Sequence, residues 1–297
     1  MSAEGADAAL VAAIGAFADG DFARAAAIAH GAERHFPEPL TAAAARYLAR
    51  VRDHGKASAY VTGDGFAAFI RAGGNVALYE ATSRAIAGVC VRAGLRVLDV
   101  GTGDGRALLP ALAGSDIAHL TAIEPSPGLR AALEAELAAR EIPHAVFAGA
   151  LDEFIAAHPD ARFDVAVATF SLQSIAPAQR MAQLRWMADH CDTLALAEFD
   201  APDLTPPLRP QTIATILGRY RNGLAEYAAD PEPTVQGFLM PVLFGYFDPT
   251  AARTNFEQPV AAWQAELAAV GFAYVDVQRL CPYWWAEAQW VVARRGG

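Results

Sequence analysis

The residues in this chain whose types and spacing could do chemistry are densest in VLDVGTGDGR, Val97 to Arg106. An apolar run holds one acid, Asp99, and ends in a turn with glycines at 101, 103 and 105. Glycine lets backbone approach a ligand with no Cβ in the way, and a helix starting there presents free N–H groups. ALLPAL follows and reads as that helix despite Pro110. A nucleotide-like ligand fits this geometry. The GxGxG spacing departs from the GxGxxG of dinucleotide sites and no phosphate-gripping lysine follows, so neither an NAD site nor a P-loop is the better match. A second apolar run, HLTAIE, delivers Glu124 at its end, where a carboxylate can accept both ribose hydroxyls.

With both acid-ended strands in place, the stretch from about Ala93 to Thr205, together with the C-terminal strands, resembles the class I (Rossmann-like) S-adenosylmethionine-dependent methyltransferases of small-molecule type. VLDVGTGDG is similar to their first motif. The resemblance implies S-adenosyl-L-methionine as cofactor and S-adenosyl-L-homocysteine as product. It puts Asp99 near the methionyl amino end, the backbone of Gly101, Thr102, Gly103 and Gly105 along the cofactor, and Glu124, followed by Pro125, at the ribose. The family usually places an acid after its third strand for the adenine amino group. Here Gly149, Ala150 and Leu151 precede Asp152, so the adenine contact is expected from the backbone of Ala150 and Leu151. After the fourth strand, in FDVAVATFSLQSI, Thr169, Phe170 and Ser171 would border the methionyl part. Gln173 would face the acceptor where the family often has a Leu-His-His-like turn.

Catalytic candidates are Gln173, Tyr79, Glu257 and Tyr246. Tyr79 lies just upstream of the first strand, in the helix that commonly closes over the cofactor in this fold, and also counts as cofactor-binding. Glu257, in TNFEQP, is an acid amid an aromatic segment; buried beside an apolar wall its pKa would rise and it could act as a base. Phe66, Phe69, Phe238, Met240, Phe244, Tyr246 and Phe247 could form walls that stack on a flat acceptor. Methyl transfer from a sulfonium needs alignment more than acid-base help, so a missing base does not exclude it. No NPPY or Pro-Cys motif appears, which argues against amino-methylation of DNA bases and C5-cytosine chemistry, and the seven histidines lie outside the motif turns. The leading expectation is methyl transfer to C, N or O of a small indole- or phenol-like acceptor. Two alternatives stay open: an enzyme that cyclises or cleaves the aminobutyrate arm of the cofactor, and a non-catalytic cofactor-binding scaffold.

The elements that must position these residues follow from apolar patterning. Short runs at Arg96 to Val100, Leu120 to Glu124, Ala145 to Ala148, Asp164 to Thr169 and Thr193 to Glu198 alternate with helical stretches, as buried parallel strands joined by crossover helices do. Pro259 to Val270 reads as a helix, and Tyr274 to Leu280 with Glu287 to Arg294 as a closing strand pair. We therefore expect an α/β, doubly wound, seven-stranded Rossmann-like methyltransferase sheet. Residues 1–92 form an N-terminal helical cap, 93–199 the cofactor-binding core, 200–259 an aromatic, proline-rich lid insertion, and 260–297 the end of the core sheet. Three Ala-rich helices between Asp7 and Asp53 are separated by the turn signals at Asp19 to Asp21 and Phe36 to Pro39. A mixed pattern through Tyr60, Phe66, Phe69, Tyr79 and Ile86 suggests two more, parted by Gly73 and Gly74.

Composition limits the partners. A net charge of −10 with no basic block would repel a phosphate backbone, so nucleic acid is not expected. The 54% hydrophobic content is broken by charges and prolines before any run could span a membrane. Acidic residues interrupt the first thirty positions where an export signal would need a basic start. Cys90, Cys191 and Cys281 show neither metal-ligand nor disulfide spacing. A cytoplasmic protein without a metal fits best; a homodimer is compatible with the sequence.

Overall fold

The computed structural model describes residues 3–56, 64–227 and 231–296, and Tyr60 lies outside them. The chain divides into two compact units, one of Met1–Val76 with Asp203–Ala252 and one of Ala77–Pro202 with Arg253–Gly297.

The second unit contains a seven-stranded sheet: β1 (Arg96–Val100), β2 (His119–Ile123), β3 (His144–Phe147), β4 (Phe163–Thr169), β5 (Cys191–Phe199), β6 (Tyr274–Cys281) and β7 (Ala288–Arg294). Their spatial order is β3-β2-β1-β4-β5-β7-β6, parallel through β5, with β7 antiparallel to both its neighbours. Central parallel strands are covered on both faces, so they read as unbroken apolar runs. Side chains nevertheless alternate between the faces. Val97, Val165 and Ala195 join one core with Ile86, Leu108, Leu133 and Trp290. Leu98, Ala166 and Leu194 join another with Phe154, Leu184, Met187 and Trp263. The edge strand β6 is mostly exposed and mixes Asp, Gln and Arg with apolar residues.

The connection leaving β1 passes to β2 on one side while β4 lies on its other side. At such a switch point the loops after adjacent strands part, leaving a crevice at the carboxyl ends. The residues after β1, β2 and β4 line it.

The first unit joins two segments that the sequence presents as a separate arm and lid. It contains the helices α1 (Ala3–Ala18), α2 (Phe22–His35), α3 (Pro39–His54), α4 (Asp64–Phe69), α10 (Pro210–Glu226) and α11 (Met240–Tyr246), with a wide helical segment over Pro231–Leu239. Asp21 caps α2 by accepting the Arg24 N–H at 3.0 Å. Phe244 is fully buried, with its ring 5.2 Å from Phe17 and 5.1 Å from Tyr47, and Arg221 on α10 pairs with both Glu38 and Asp7. The apolar faces of the N-terminal helices are thus buried by the insertion.

Candidate functional site

The site begins with the glycine turn after β1. Gly101, Gly103 and Gly105 all have φ between 63° and 77°, the left-handed region that glycine enters without strain. A Cβ on Gly101 would stand 2.5 Å from the Ser171 Cβ, so the β1 and β4 turns meet there. Ser171 fixes that meeting by donating its hydroxyl to the Val100 carbonyl at 2.6 Å. A Cβ on Gly103 would touch nothing within 4 Å, so its backbone faces open space.

Two buried acids flank the turn. Glu124, 4% exposed, accepts the Gly103 N–H on Oε2 and the Ser126 N–H on Oε1, both at 2.8 Å. It holds the β1 turn against the β2 turn and keeps further lone pairs for a ligand hydroxyl. Asp99 is 2% exposed, and its Oδ1 has no hydrogen-bond partner. Burial raises its pKa to about 7; the Glu124 charge adds to the rise, while hydrogen bonds from Thr102 and the Val100 N–H oppose it. A buried acceptor left open at the end of a central strand suits a cationic ligand group.

Tyr79 lies on α5 (Asn75–Val89), within the apolar core against the glycine turn. The Arg106 guanidinium is 5.9 Å from its ring centre and also pairs with Asp104 at 3.0 Å. Burial and Asp104 push the Tyr79 hydroxyl up to about 12, with Arg106 acting in the opposite sense, so it stays protonated and can donate but not act as a base. The Ser83 hydroxyl, also on α5, donates to the Ala107 carbonyl at 2.6 Å and fastens this helix to the turn.

After β3 the expected adenine contacts change in detail. Glu153 takes the Ala150 N–H at 2.7 Å, closing the start of α8 (Leu151–Ala157), so Ala150 lacks the free donor assigned to it. Leu151 is buried at the first helical position. Asp152 points to another partner, accepting from Gln179 at 2.9 Å, and Pro125 is exposed beyond Glu124.

At the end of β4, Thr169 and Ser171 are half-buried, and Phe170 adopts φ 53°, unusual for a residue with a Cβ. That turn stacks the Phe170 ring on Phe199, centres 4.8 Å apart. Gln173 follows in a short 3-10 turn; its N–H donates to Glu198 Oε1 at 3.3 Å, its side-chain amide donates to the Phe170 carbonyl at 3.3 Å, and its own carbonyl accepts the Phe256 N–H at 2.7 Å. Glu257 therefore enters the same neighbourhood, where its Oε2 accepts the Trp285 indole N–H at 2.9 Å. Tyr246 belongs to the other unit, at the end of α11, and is 39% exposed. Phe238, Met240, Phe244 and Phe247, considered as acceptor walls, are buried interior residues of that unit. The rings of Phe238 and Phe244 are used in packing within that unit.

Two residues carry weight here that sequence reasoning passed over. Glu198, at the end of β5, is 1% exposed; burial drives its carboxyl well above the usual range, Glu257 adds to the rise, and the Gln173 N–H, Arg180 and the Leu172 N–H oppose it. An acid ending an apolar strand, as in β1 and β2, was the available signal. Arg180 on α9 (Pro177–His190) is fully buried. It grips Glu266 at 2.9 and 2.8 Å and Gln258 at 2.9 Å, and lies 4.4 Å from the Trp263 ring centre. This clamp anchors the segment that carries Glu257. Among the described residues no group of His, Cys, Asp or Glu is arranged to hold a metal, and no helix is long and apolar enough to cross a membrane.

Part of the chain is similar to known proteins. Residues 98–194 match a family model described as a methyltransferase domain. The chain is similar to the cyclopropane synthase MmaA2 from Mycobacterium tuberculosis, with 12% identity, TM-score 0.50, and 72% of this chain and 84% of that one covered. It is also similar to magnesium protoporphyrin IX methyltransferase from Synechocystis PCC 6803 with bound S-adenosylmethionine, at 13% identity, TM-score 0.48, and 83% and 89% coverage. A third similar structure, the N-terminal domain of EvdMO1 with S-adenosylhomocysteine bound, has 17% identity, TM-score 0.47, and 72% and 79% coverage. No curated protein matches the chain in sequence. The sheet order and the glycine turn between two buried acids lie within a chain whose residues 98–194 are similar to a methyltransferase domain.

Proposed function

We propose that the protein transfers a methyl group from S-adenosylmethionine to a C, N or O atom of a small, flat acceptor. The observation that carries this reading is the glycine turn itself: Gly103 faces open space between the buried carboxylates of Asp99 and Glu124, and Asp99 retains an unpartnered oxygen. Those residues fit the cofactor, with Glu124 accepting ribose hydroxyls, Asp99 accepting from the methionyl amino group, and Leu151 beside the adenine. When bound, the sulfonium supplies an already activated methyl group. The chain's own work is alignment and exclusion of water, because bringing the reacting atoms into line can contribute several kcal/mol, on the order of 7–11, without acid-base help. Ser171 and Gly101 hold the β1 and β4 turns together, which fixes the methyl donor relative to Phe170 and Gln173.

The test is product mass after incubation with S-adenosylmethionine and a panel of indoles, phenols and aromatic amines. Acceptors heavier by one methyl group, with stoichiometric S-adenosylhomocysteine, are expected. Methylthioadenosine formed without an acceptor, or cofactor binding with no turnover on any acceptor, would overturn the proposal.

A further inference from the structure

The open Oδ1 of Asp99 answers the positive end of an amino acid. An amino acid also carries a carboxylate, and a negative group needs donors fixed close to the same turn. Such donors stand where the turn ends. Asp99 lies on β1 at its start, and Arg106 directly follows Gly105 at its end. The Arg106 guanidinium is held in two ways. Asp104 accepts from its Nη2 at 3.0 Å and from the Arg106 backbone N–H at 3.2 Å, and the Tyr79 ring centre lies 5.9 Å from the guanidinium. A guanidinium presents its N–H donors in a rigid fork on three nitrogens, of which Asp104 engages one. The Arg106 Nε is buried with no hydrogen-bond partner. The side chain as a whole stays 30% exposed, so a ligand can reach it.

Tyr79 adds a neutral donor. Its hydroxyl feels the charges of both Asp104 and Arg106, and burial keeps it protonated, with a pKa of about 12. The helix that carries it, α5, is fastened to the residue after Arg106 by the hydrogen bond from the Ser83 hydroxyl to the Ala107 carbonyl. Helix and turn therefore hold Tyr79 and Arg106 in a fixed relation, with Asp104 orienting the guanidinium from its own side. A buried donor without an acceptor is costly, and an arriving carboxylate supplies the acceptor.

We propose that Arg106 and Tyr79 bind the carboxylate of the cofactor's amino-acid arm, so that together with Asp99 they make the site select a carboxylate-bearing cofactor over a decarboxylated one. The inference rests on the S-adenosylmethionine reading of the proposed function and adds the residues that fix the arm. The arm leads to the sulfur, so holding both of its charged groups restrains the donor methyl more than holding the ammonium alone. Charge-assisted hydrogen bonds from a guanidinium to a carboxylate are about twice as strong as neutral ones. A cofactor without the carboxylate forfeits them and leaves the Arg106 Nε as it stands, buried and without an acceptor.

The experiment is calorimetric titration of the intact chain and of Arg106→Met and Tyr79→Phe with three probes. S-adenosylhomocysteine carries both charges, its decarboxylated counterpart keeps only the ammonium, and its deaminated counterpart keeps only the carboxylate. The parent is expected to bind S-adenosylhomocysteine at least about tenfold more tightly than the decarboxylated probe, as a charge-assisted contact implies. Arg106→Met retains the apolar stem and should weaken S-adenosylhomocysteine and the deaminated probe by about tenfold or more, while the decarboxylated probe stays within about twofold. Tyr79→Phe removes one neutral donor and should act in the same direction by about three- to tenfold. If Arg106→Met does not fold, Tyr79→Phe decides by the same comparison. A merely structural role would weaken all three probes alike. That outcome, a parent without preference for the carboxylate-bearing probe, or unchanged S-adenosylhomocysteine affinity in the variants would overturn the inference. Failure of all three probes to bind the parent would instead overturn the reading on which it rests.

Discussion

Gly103 and Glu124 are joined by a hydrogen bond of 2.8 Å from the backbone N–H to Oε2, while Ser126 occupies the other carboxylate oxygen at the same distance. Glu124 therefore shapes the turn, and under the proposed function it also accepts the ribose hydroxyls. Glu124→Ala should weaken S-adenosylhomocysteine binding by about 1.5–3 kcal/mol, the range for hydrogen bonds to a charged group. Glu124→Gln should lie between variant and parent, since its amide oxygen can still accept one N–H. Calorimetry on variants with retained far-UV spectra checks this; unchanged affinity in a folded Glu124→Ala would remove Glu124 from the cofactor site.

The two glycines of the turn should separate stability from binding. Gly101→Ala places its Cβ 2.5 Å from the Ser171 Cβ at φ 72° and should lower the thermal midpoint sharply. Gly103→Ala meets no neighbour, so its cost is about the 1–2 kcal/mol of a left-handed non-glycine residue. Under the proposed function its added methyl stands where backbone faces the cofactor, so cofactor affinity should fall far more than stability. Adding Ser171→Gly to Gly101→Ala should recover part of the lost midpoint; no recovery would mean that the β1–β4 contact is not what limits that position.

Asp99 predicts a pH dependence with a definite sign. Its carboxyl moves from an ordinary 3.8 to about 7 in the folded chain, chiefly through burial. A folded pKa above the unfolded one favours folding fully at low pH, and that contribution is lost as pH rises from about 4 through 7, by up to roughly 4 kcal/mol at 1.36 per unit. Asp99→Asn should gain stability relative to the parent between pH 4 and pH 8, measured by denaturant unfolding without cofactor. In the parent, S-adenosylhomocysteine affinity should increase as pH rises across 7, and in the variant that increase should vanish. A stability difference that does not change with pH would contradict the assignment.

Arg180 predicts a structural loss with a functional echo. Arg180→Met removes a buried cation and leaves Glu266 and Gln258 without their partner, which for a buried pair costs about 3–5 kcal/mol. The double variant Arg180→Met with Glu266→Leu should regain much of that loss in denaturant unfolding. Equal stabilities for the single and double variants would show that the clamp does not hold the Glu257 segment.

In the helical unit, Phe244→Ala should cost about 3–5 kcal/mol because the ring is fully buried against Phe17 and Tyr47. Tyr246→Ala, at 39% exposure, should change stability little. Removing residues 1–53 takes away both partners of Phe244, so it should expose the 203–252 helices to proteolysis. Protease resistance of that segment in the truncated chain would show that the two segments fold independently.

The sequence by itself determined the sheet. Buried parallel strands are local runs of apolar residues, and the runs at Arg96, Leu120, Asp164 and Thr193 lie within the strands β1, β2, β4 and β5 to within one or two residues. The glycine turn was legible for the same reason: a backbone needing positive φ at three alternate positions must spell itself in glycine. What lies far apart in sequence was not legible. Only tertiary packing placed Phe244 between Phe17 and Tyr47, making an interior residue of one that reads as a wall. Only tertiary packing brought Glu198, Gln173 and Glu257 together, because the Gln173 N–H bonds Glu198 and the Gln173 carbonyl bonds Phe256, the neighbour of Glu257, between segments whose proximity no local pattern encodes. Period and turn chemistry act over a few residues and are written locally, whereas burial, and with it the charge state of a carboxyl such as Glu198, depends on everything the fold puts around it.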